Sequence, residues 1–240
     1  MKQQVRPSAA AISWERISTA EHIADRLRER IIDGQLKPGT KLSDLELSRE
    51  FDVSRNTLRD ALRLLSRDRL LVQVLHRGVF VTWGSADDVR DLYLVRRLVE
   101  PAALRRADGA PPAALDAVRA AVEEGERATA AGDWQAVGTA NMRFHQALIG
   151  LAGSKRLTEL MACPLAELRL VFHVMPEVKD FHEPYLTVNR EITDLLDAGE
   201  LTRAEEVLMD YFDRAERQLL EAFAKEGRSD GGQPRSGAGR

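Results

Sequence analysis

Residues 42–82, LSDLELSREFDVSRNTLRDALRLLSRDRLLVQVLHRGVFVT, decide how the front of this chain folds. Ser43 stands three residues before Glu46, the spacing of a capping box in which each side chain meets an orphan backbone donor, so a short helix is predicted over Asp44–Glu50. Phe51-Asp52-Val53 leaves room only for a turn, and Ser54 offers an N-cap for a second helix running to about Asp68. In that helix Leu58, Ala61, Leu62 and Leu65 recur at i, i+3, i+4 and i+7 and mark a core face. Arg55, Arg59 and Arg63 repeat every fourth residue on another face, with Asn56 beside them at the helix start. Val72-Gln73-Val74 and Val79-Phe80-Val81 then alternate like short strands, and Leu75-His76-Arg77-Gly78 supplies a glycine-containing hairpin loop.

Helix, tight turn, basic amphipathic helix and hairpin follow one another in the order of a winged helix-turn-helix. The exposed chemistry suits a major groove: arginine reads guanine edges or neutralises phosphate, asparagine can pair with adenine, and a helix N-terminus favours a phosphate oxygen. A basic stripe by itself is commonly a solvated surface. Here cap, turn, stripe and hairpin agree, so double-stranded DNA is the expected partner.

Composition points to a two-part molecule. The 240 residues carry a net charge of −3, yet residues 1–82 are net +4 and residues 83–240 net −7. A basic front is drawn to phosphate and an acidic back is held off it, so binding should depend strongly on salt. The single cysteine, Cys163, excludes an intramolecular disulfide framework and a Cys-rich zinc site, fits a reducing cytoplasm, and is expected to be a buried small apolar residue. No stretch approaches the roughly 18 apolar residues of a membrane span, and MKQQVRPSAAAIS lacks the apolar core of a signal peptide. A soluble, cytoplasmic protein is expected. Residues 1–13 carry little pattern, and residues 226–240, EGRSDGGQPRSGAGR, have a disordered composition.

From Ser85 onward the pattern is helical, with breaks at Gly109-Ala110-Pro111-Pro112, Gly132-Asp133, Gly153-Ser154, Met175-Pro176 to Pro184, and Gly199. Six segments result, at about 86–107, 112–131, 133–152, 154–174, 184–198 and 201–225. No second sheet is suggested. The expected fold is mostly α: an N-terminal winged helix-turn-helix followed by an antiparallel all-α bundle of about six helices with room for a central cavity.

The front half resembles the GntR family of bacterial transcription regulators over residues 16–83. The carriers are ERISTAEHIADRLRERIIDGQLKPGTKL, closed by Gly34 and Pro38-Gly39, and LELSREFDVSRNTLRDALRLL with the family's SR-x-x-x-R-x-AL run. The resemblance implies DNA contacts from Ser54, Arg55, Asn56, Thr57 and Arg59 and, at the wing tip, from His76, Arg77 and Gly78; Arg63 extends the helix stripe. Asn56 stands where the family often has Thr or Ser, and Arg69 replaces a common glycine before the wing. The back half resembles the effector-binding (FCD-type) domain of the FadR subgroup through DLYLVRRLVEPAALRRA, NMRFHQALIGLAGSKRLTEL and NREITDLLDAGELTRAEEVLMDYFDRA. Together the resemblance, which covers about residues 16–225, implies a homodimer on a palindromic operator and a repressor relieved by a small, typically carboxylate, effector. With the tails read from composition, the expected parts are a disordered N-terminus at 1–13, a DNA-binding domain at 14–83, an all-helical effector-binding and dimerisation domain at 84–225, and a disordered tail at 226–240.

Many members of that subgroup hold a metal ion through an aspartate and three histidines. Carried over, these positions fall on Asn141, His145, Asn189 and Tyr211, so one ligand of four survives. Asparagine is a weak neutral ligand and a neutral phenol a poor one. No tightly bound metal and no other cofactor is therefore expected, a residual divalent ion at His145 being the alternative. Helical spacing still puts all four positions inside: Asn141 and His145 with Val137, Phe144 and Leu148, Asn189 with Tyr185, Ile192 and Leu196, and Tyr211 with Ala204, Val207 and Ala215. With Arg96 they form a candidate effector site. The competing reading is that they satisfy one another in a packed bundle that senses nothing, and that Arg96 forms a one-turn salt bridge with Glu100. His173 and His182, flanking the proline-containing loop, are expected at the surface or as gates. The segment WGSADDVR, 83–90, is the route by which the bundle would reach the DNA-binding head. An enzyme is not expected, because Glu-x-x-His, a nucleophile elbow, paired core carboxylates and a glycine-rich phosphate loop are missing.

Overall fold

The computed structural model of the chain describes residues 18–229. The expected tails at 1–13 and from 230 onward lie outside the described residues, whereas 226–229 continue the last helix.

The head opens with α1 (Thr19–Ile32), started by a complete capping box: Ser18 Oγ accepts from Glu21 N at 3.2 Å, and the Glu21 carboxylate accepts from Ser18 N at 2.7 Å. Helices α2 (Asp44–Glu50) and α3 (Arg55–Arg67) match the sequence expectation, although at α2 only the Ser43 arm is formed, accepting from Glu46 N at 3.3 Å. Three strands, β1 (Lys41–Leu42), β2 (Leu71–Val74) and β3 (Gly78–Val81), make an antiparallel sheet in the order β1-β3-β2. Two residues are too few to show alternation, so β1 escaped the sequence reading; it pairs Lys41 with Phe80 and Leu42 with Val79. Leu58, Ala61, Leu62 and Leu65 of α3 are buried against Leu27 and Ile31 of α1, as the periodicity requires. Arg69 adopts φ of 60°, the left-handed region where glycine is the unstrained choice.

Six helices follow: α4 (Ala86–Leu104), α5 (Pro112–Ala130), α6 (Trp134–Gly150), α7 (Lys155–Val171), α8 (Val178–Asp197) and α9 (Leu201–Ser229). Helix α6 packs against α4, α5, α7 and α8, and α9 against α4 and α8. The number of segments is as expected, but α8 begins at Val178, six residues before the expected 184. Pro184 removes one backbone donor on an exposed face, while Phe181, His182, Tyr185 and Asn189 bury the opposite face. Packing thus outweighs the proline's local cost of about 3 kcal/mol. A second capping box, Ser85 with Asp88, starts α4 at Ala86, so most of the expected linker 83–90 is already helix.

Head and bundle also meet away from that linker. Arg169 Nε of α7 donates to Ile32 O at the end of α1 at 3.1 Å, and Gln135 Nε2 of α6 donates to Asp33 O at 3.3 Å. Arg143 pairs with the Asp33 carboxylate at 3.2 Å. Cys163, expected as a buried apolar filler, is instead half-buried, and its thiol donates to Asp68 O at 3.0 Å. Burial pushes this thiol up to about 12.

Candidate functional sites: a basic groove and a buried polar chain

Ser54 caps α3 in extended backbone (φ −65°, ψ 150°) and accepts from Thr57 N at 3.1 Å. No acidic residue occupies the first turn of α3, so the positive end of the helix dipole is unopposed. Arg55, Asn56, Arg59 and Arg63 are exposed and Thr57 is half-buried. Arg59 lies 3.2 Å from Asp44 and Arg63 2.9 Å from Asp60; such exposed pairs are worth little and leave both arginines available to a phosphate or a base edge. At the wing, Arg77 N donates to Val74 O at 3.0 Å, while His76 (φ 60°) and Gly78 (φ 109°) take left-handed turn conformations. An open groove of about 670 Å³ runs between α3 and the wing, lined by Arg59, Arg63, His76, Arg77 and also Lys41. Lys41 was missed because its strand was missed. Its place two residues after the Pro38-Gly39 turn is the signal that could have found it.

In the bundle core, Arg96, Asn141, His145, Asn189 and Tyr211 come together as the spacing requires, each at most 3% exposed. They form one directed chain of hydrogen bonds. Asn189 Nδ2 donates to Asn141 Oδ1 at 2.9 Å, and Asn141 Nδ2 donates to Tyr211 Oη at 3.2 Å. Tyr211 Oη lies 3.1 Å from His145 Nε2, and His145 Nδ1 lies 2.8 Å from Glu100 Oε2. Arg96 Nε donates to the other Glu100 oxygen at 2.6 Å, and its Nη2 sits 2.9 Å from His145 Nε2. Burial pushes the Glu100 carboxyl up, but the Arg96 guanidinium and the His145 hydrogen bond outweigh it and hold it below its ordinary value. Burial and the nearby guanidinium lower the His145 imidazole, leaving it neutral. The neutral ring then carries its proton on Nδ1, donates to Glu100, and accepts the Tyr211 hydroxyl at Nε2. Glu100 was named from sequence only as a salt-bridge partner, yet it is the acceptor on which the chain ends.

This donor set does not suit a divalent cation. Both nitrogens of His145 are engaged, a guanidinium stands beside the ring, and the remaining candidates are amides and a phenol. Among the described residues, no three His, Cys, Asp or Glu side chains cluster as metal ligands do. Two atoms at the chain's ends, Arg96 Nη1 and Asn189 Oδ1, are buried without a hydrogen-bond partner. His182, expected at the surface or as a gate, is 1% exposed because α8 starts earlier than its proline implied.

Residues 19–81 match the bacterial regulatory proteins of the gntR family, and residues 91–214 match the FCD domain. A solved GntR transcriptional regulator from Rhodococcus sp. RHA1 is 44% identical, with a TM-score of 0.75 covering 85% of this chain and 98% of that one. The chain belongs to the GntR family. Within it, the HTH-type regulator YdhC of Bacillus subtilis (strain 168) is 31% identical over 140 residues, 57% of this chain and 62% of that protein. The galactonate operon transcriptional repressor of Escherichia coli (strain K12) is 29% identical over 177 residues, 65% of this chain and 76% of its own. The chain thus spans less than two thirds of YdhC and, in the next two relatives, about a third of their length, 36% and 35%. The family models it matches and the Rhodococcus structure it resembles are those of bacterial transcriptional regulators. Among the described residues no helix is long and apolar enough to cross a membrane.

Proposed function

We propose that this regulator is a cytoplasmic repressor that grips a palindromic operator as a homodimer and changes its grip when a small carboxylate binds its helical domain. The observation that carries the DNA part is the basic groove, in which Arg59 and Arg63 of α3 face Lys41, His76 and Arg77 across a width open to solvent. Repression is supported by the name of the E. coli relative, a galactonate operon transcriptional repressor. Dimerisation is supported by Leu94 and Leu98, one turn apart on α4 and 55% and 69% exposed, an apolar strip suited to a second copy.

Selection of duplex DNA from a random pool with the full chain, followed by anisotropy titration, tests this reading. The expected result is a palindrome with half-sites about one helical turn apart, bound by two chains. Arg59→Ala should weaken it by about 1–3 kcal/mol, and Lys41→Ala should lower the slope of affinity against salt by about one ion. Recovery of no preferred sequence would overturn the proposal.

For Arg96, Asn141, His145, Asn189 and Tyr211, geometry favours a structural role, since every hydrogen bond in the cluster runs between its own members or to Glu100. The unpaired Arg96 Nη1 and Asn189 Oδ1 favour the second reading, that a polar ligand enters there. A structural cluster predicts that Tyr211→Phe loses stability and leaves effector response intact. A ligand site predicts loss of the response.

A further inference from the structure

The loop between α1 and β1 meets α6, α7 and α8 around a cavity of about 210 Å³. Its apolar walls are Trp134, Phe172 and Phe181; its polar groups include Lys37 of the head and Arg169 and His182 of the bundle. Arg169 is 4% exposed, and its hydrogen bonds go to carbonyls alone, Ile32 O at 3.1 Å and Gln135 O at 3.4 Å. Among the described residues no carboxylate lies within ion-pair distance of it. His182 is 1% exposed, and both of its ring nitrogens lack a partner. The two side chains converge: a Cβ on Gly138 would lie 2.9 Å from His182 Nε2 and 3.0 Å from Arg169 Nη1. Both side chains can approach the α6 backbone this closely because residue 138 carries no side chain. Burial pushes Arg169 down to about 10, only partly offset by the charge of Asp33, which is itself paired with Arg143, and burial pushes His182 down to about 3, leaving a guanidinium with no ion pair of its own beside a neutral imidazole. A buried cation without an ion pair and an unpaired imidazole are both costly, and one anion relieves both.

We propose that this cavity between head and bundle binds a small carboxylate, distinct in place from the Arg96–Asn189 chain. The carboxylate oxygens accept from the Arg169 guanidinium and from the His182 N–H, the apolar body lies against Trp134, Phe172 and Phe181, and Lys37 adds charge at the mouth. Such a ligand touches both parts of the molecule, so a preference for one arrangement of head on bundle changes DNA affinity by linkage. That consequence, though not the binding, rests on the reading of the chain as an effector-controlled regulator.

Isothermal titration of the full chain with benzoate, phenylacetate and hexanoate, with neutral benzamide as control, tests the site; anisotropy on the selected operator reads the consequence. At least one acid should bind saturably, one per chain, and benzamide should not. His182→Phe should abolish binding, and Lys37→Ala, at an exposed position that leaves the fold intact, should weaken it several-fold. Operator affinity should shift at least about fivefold when the acid is present. No saturable binding up to about 10 mM overturns the site, as does binding unchanged in Lys37→Ala and in a folded His182→Phe. Binding that follows the expected variant pattern without any shift in operator affinity upholds the site and sinks effector control instead.

Discussion

Glu100 and His182 carry opposite solutions to the burial of a polar side chain. Glu100 is wholly buried but accepts from Arg96 and His145, so removing its charge strands a guanidinium in the core. Glu100→Gln should cost about 3–5 kcal/mol in urea unfolding, whereas replacing Arg96 and Glu100 together by methionine should cost far less. His182 is buried with nothing to bond, and burial first, then the charges of Arg169 and His173, hold it neutral far below the ordinary histidine value. The unfolded chain therefore binds a proton that the folded chain refuses as pH falls below about 6.5, so stability drops with falling pH by about 1.4 kcal/mol per unit from this group. His145 and His173 are also lowered and add to the same slope. Urea midpoints taken between about pH 7 and pH 5 should fall more gently in His182→Phe; equal slopes would mean that His182 is not the group titrating. Core membership of Asn141, His145, Asn189 and Tyr211 was legible from helical period. The partners were not, because period gives a face and a hydrogen bond needs a distance.

Most element boundaries followed from punctuation in the sequence. Gly132, Gly153 and Gly199, all at positive φ, end or separate helices where the sequence reading broke them. Pro184 misled because a proline reads locally as a stop, while the helix is held by aromatic packing from elements far away in sequence. The junction of β3 with α4 packs closely on α7: a Cβ on Gly84 would lie 2.6 Å from Val171 Cγ2 and 3.3 Å from the α7 backbone. Gly84→Ala should push α7 off the connection, lower stability by about 1–3 kcal/mol by overpacking, and alter operator affinity measured by anisotropy. An unchanged melting temperature would show that the junction has slack.

At the scale of the whole molecule the charge split, net +4 before residue 83 and net −7 after it, orients the chain on a polyanion. Head and bundle are joined by Thr82-Trp83-Gly84, by α7, whose Arg169 and Cys163 reach the ends of α1 and α3, and by α6, whose Gln135 and Arg143 meet Asp33. A change in the bundle can thus tilt the head without passing through the linker alone. Leu98→Glu, placing a charge on the exposed apolar strip of α4, should shift the chain toward monomer in sedimentation and weaken operator binding at low protein concentration. A dimer that survives it would assign the interface to another face.

The sequence by itself determined the winged helix-turn-helix, its exposed arginine stripe, the six-helix bundle and the four polar positions turned inward, because caps, glycines and the 3.6-residue period act over neighbouring residues. Only the tertiary structure decided that Glu100 closes the polar chain, that Lys41 joins the groove, and that Arg169 and His182 meet beside Gly138 at the head. Those residues lie on elements far apart along the chain, and their meeting is set by packing, which no local pattern encodes.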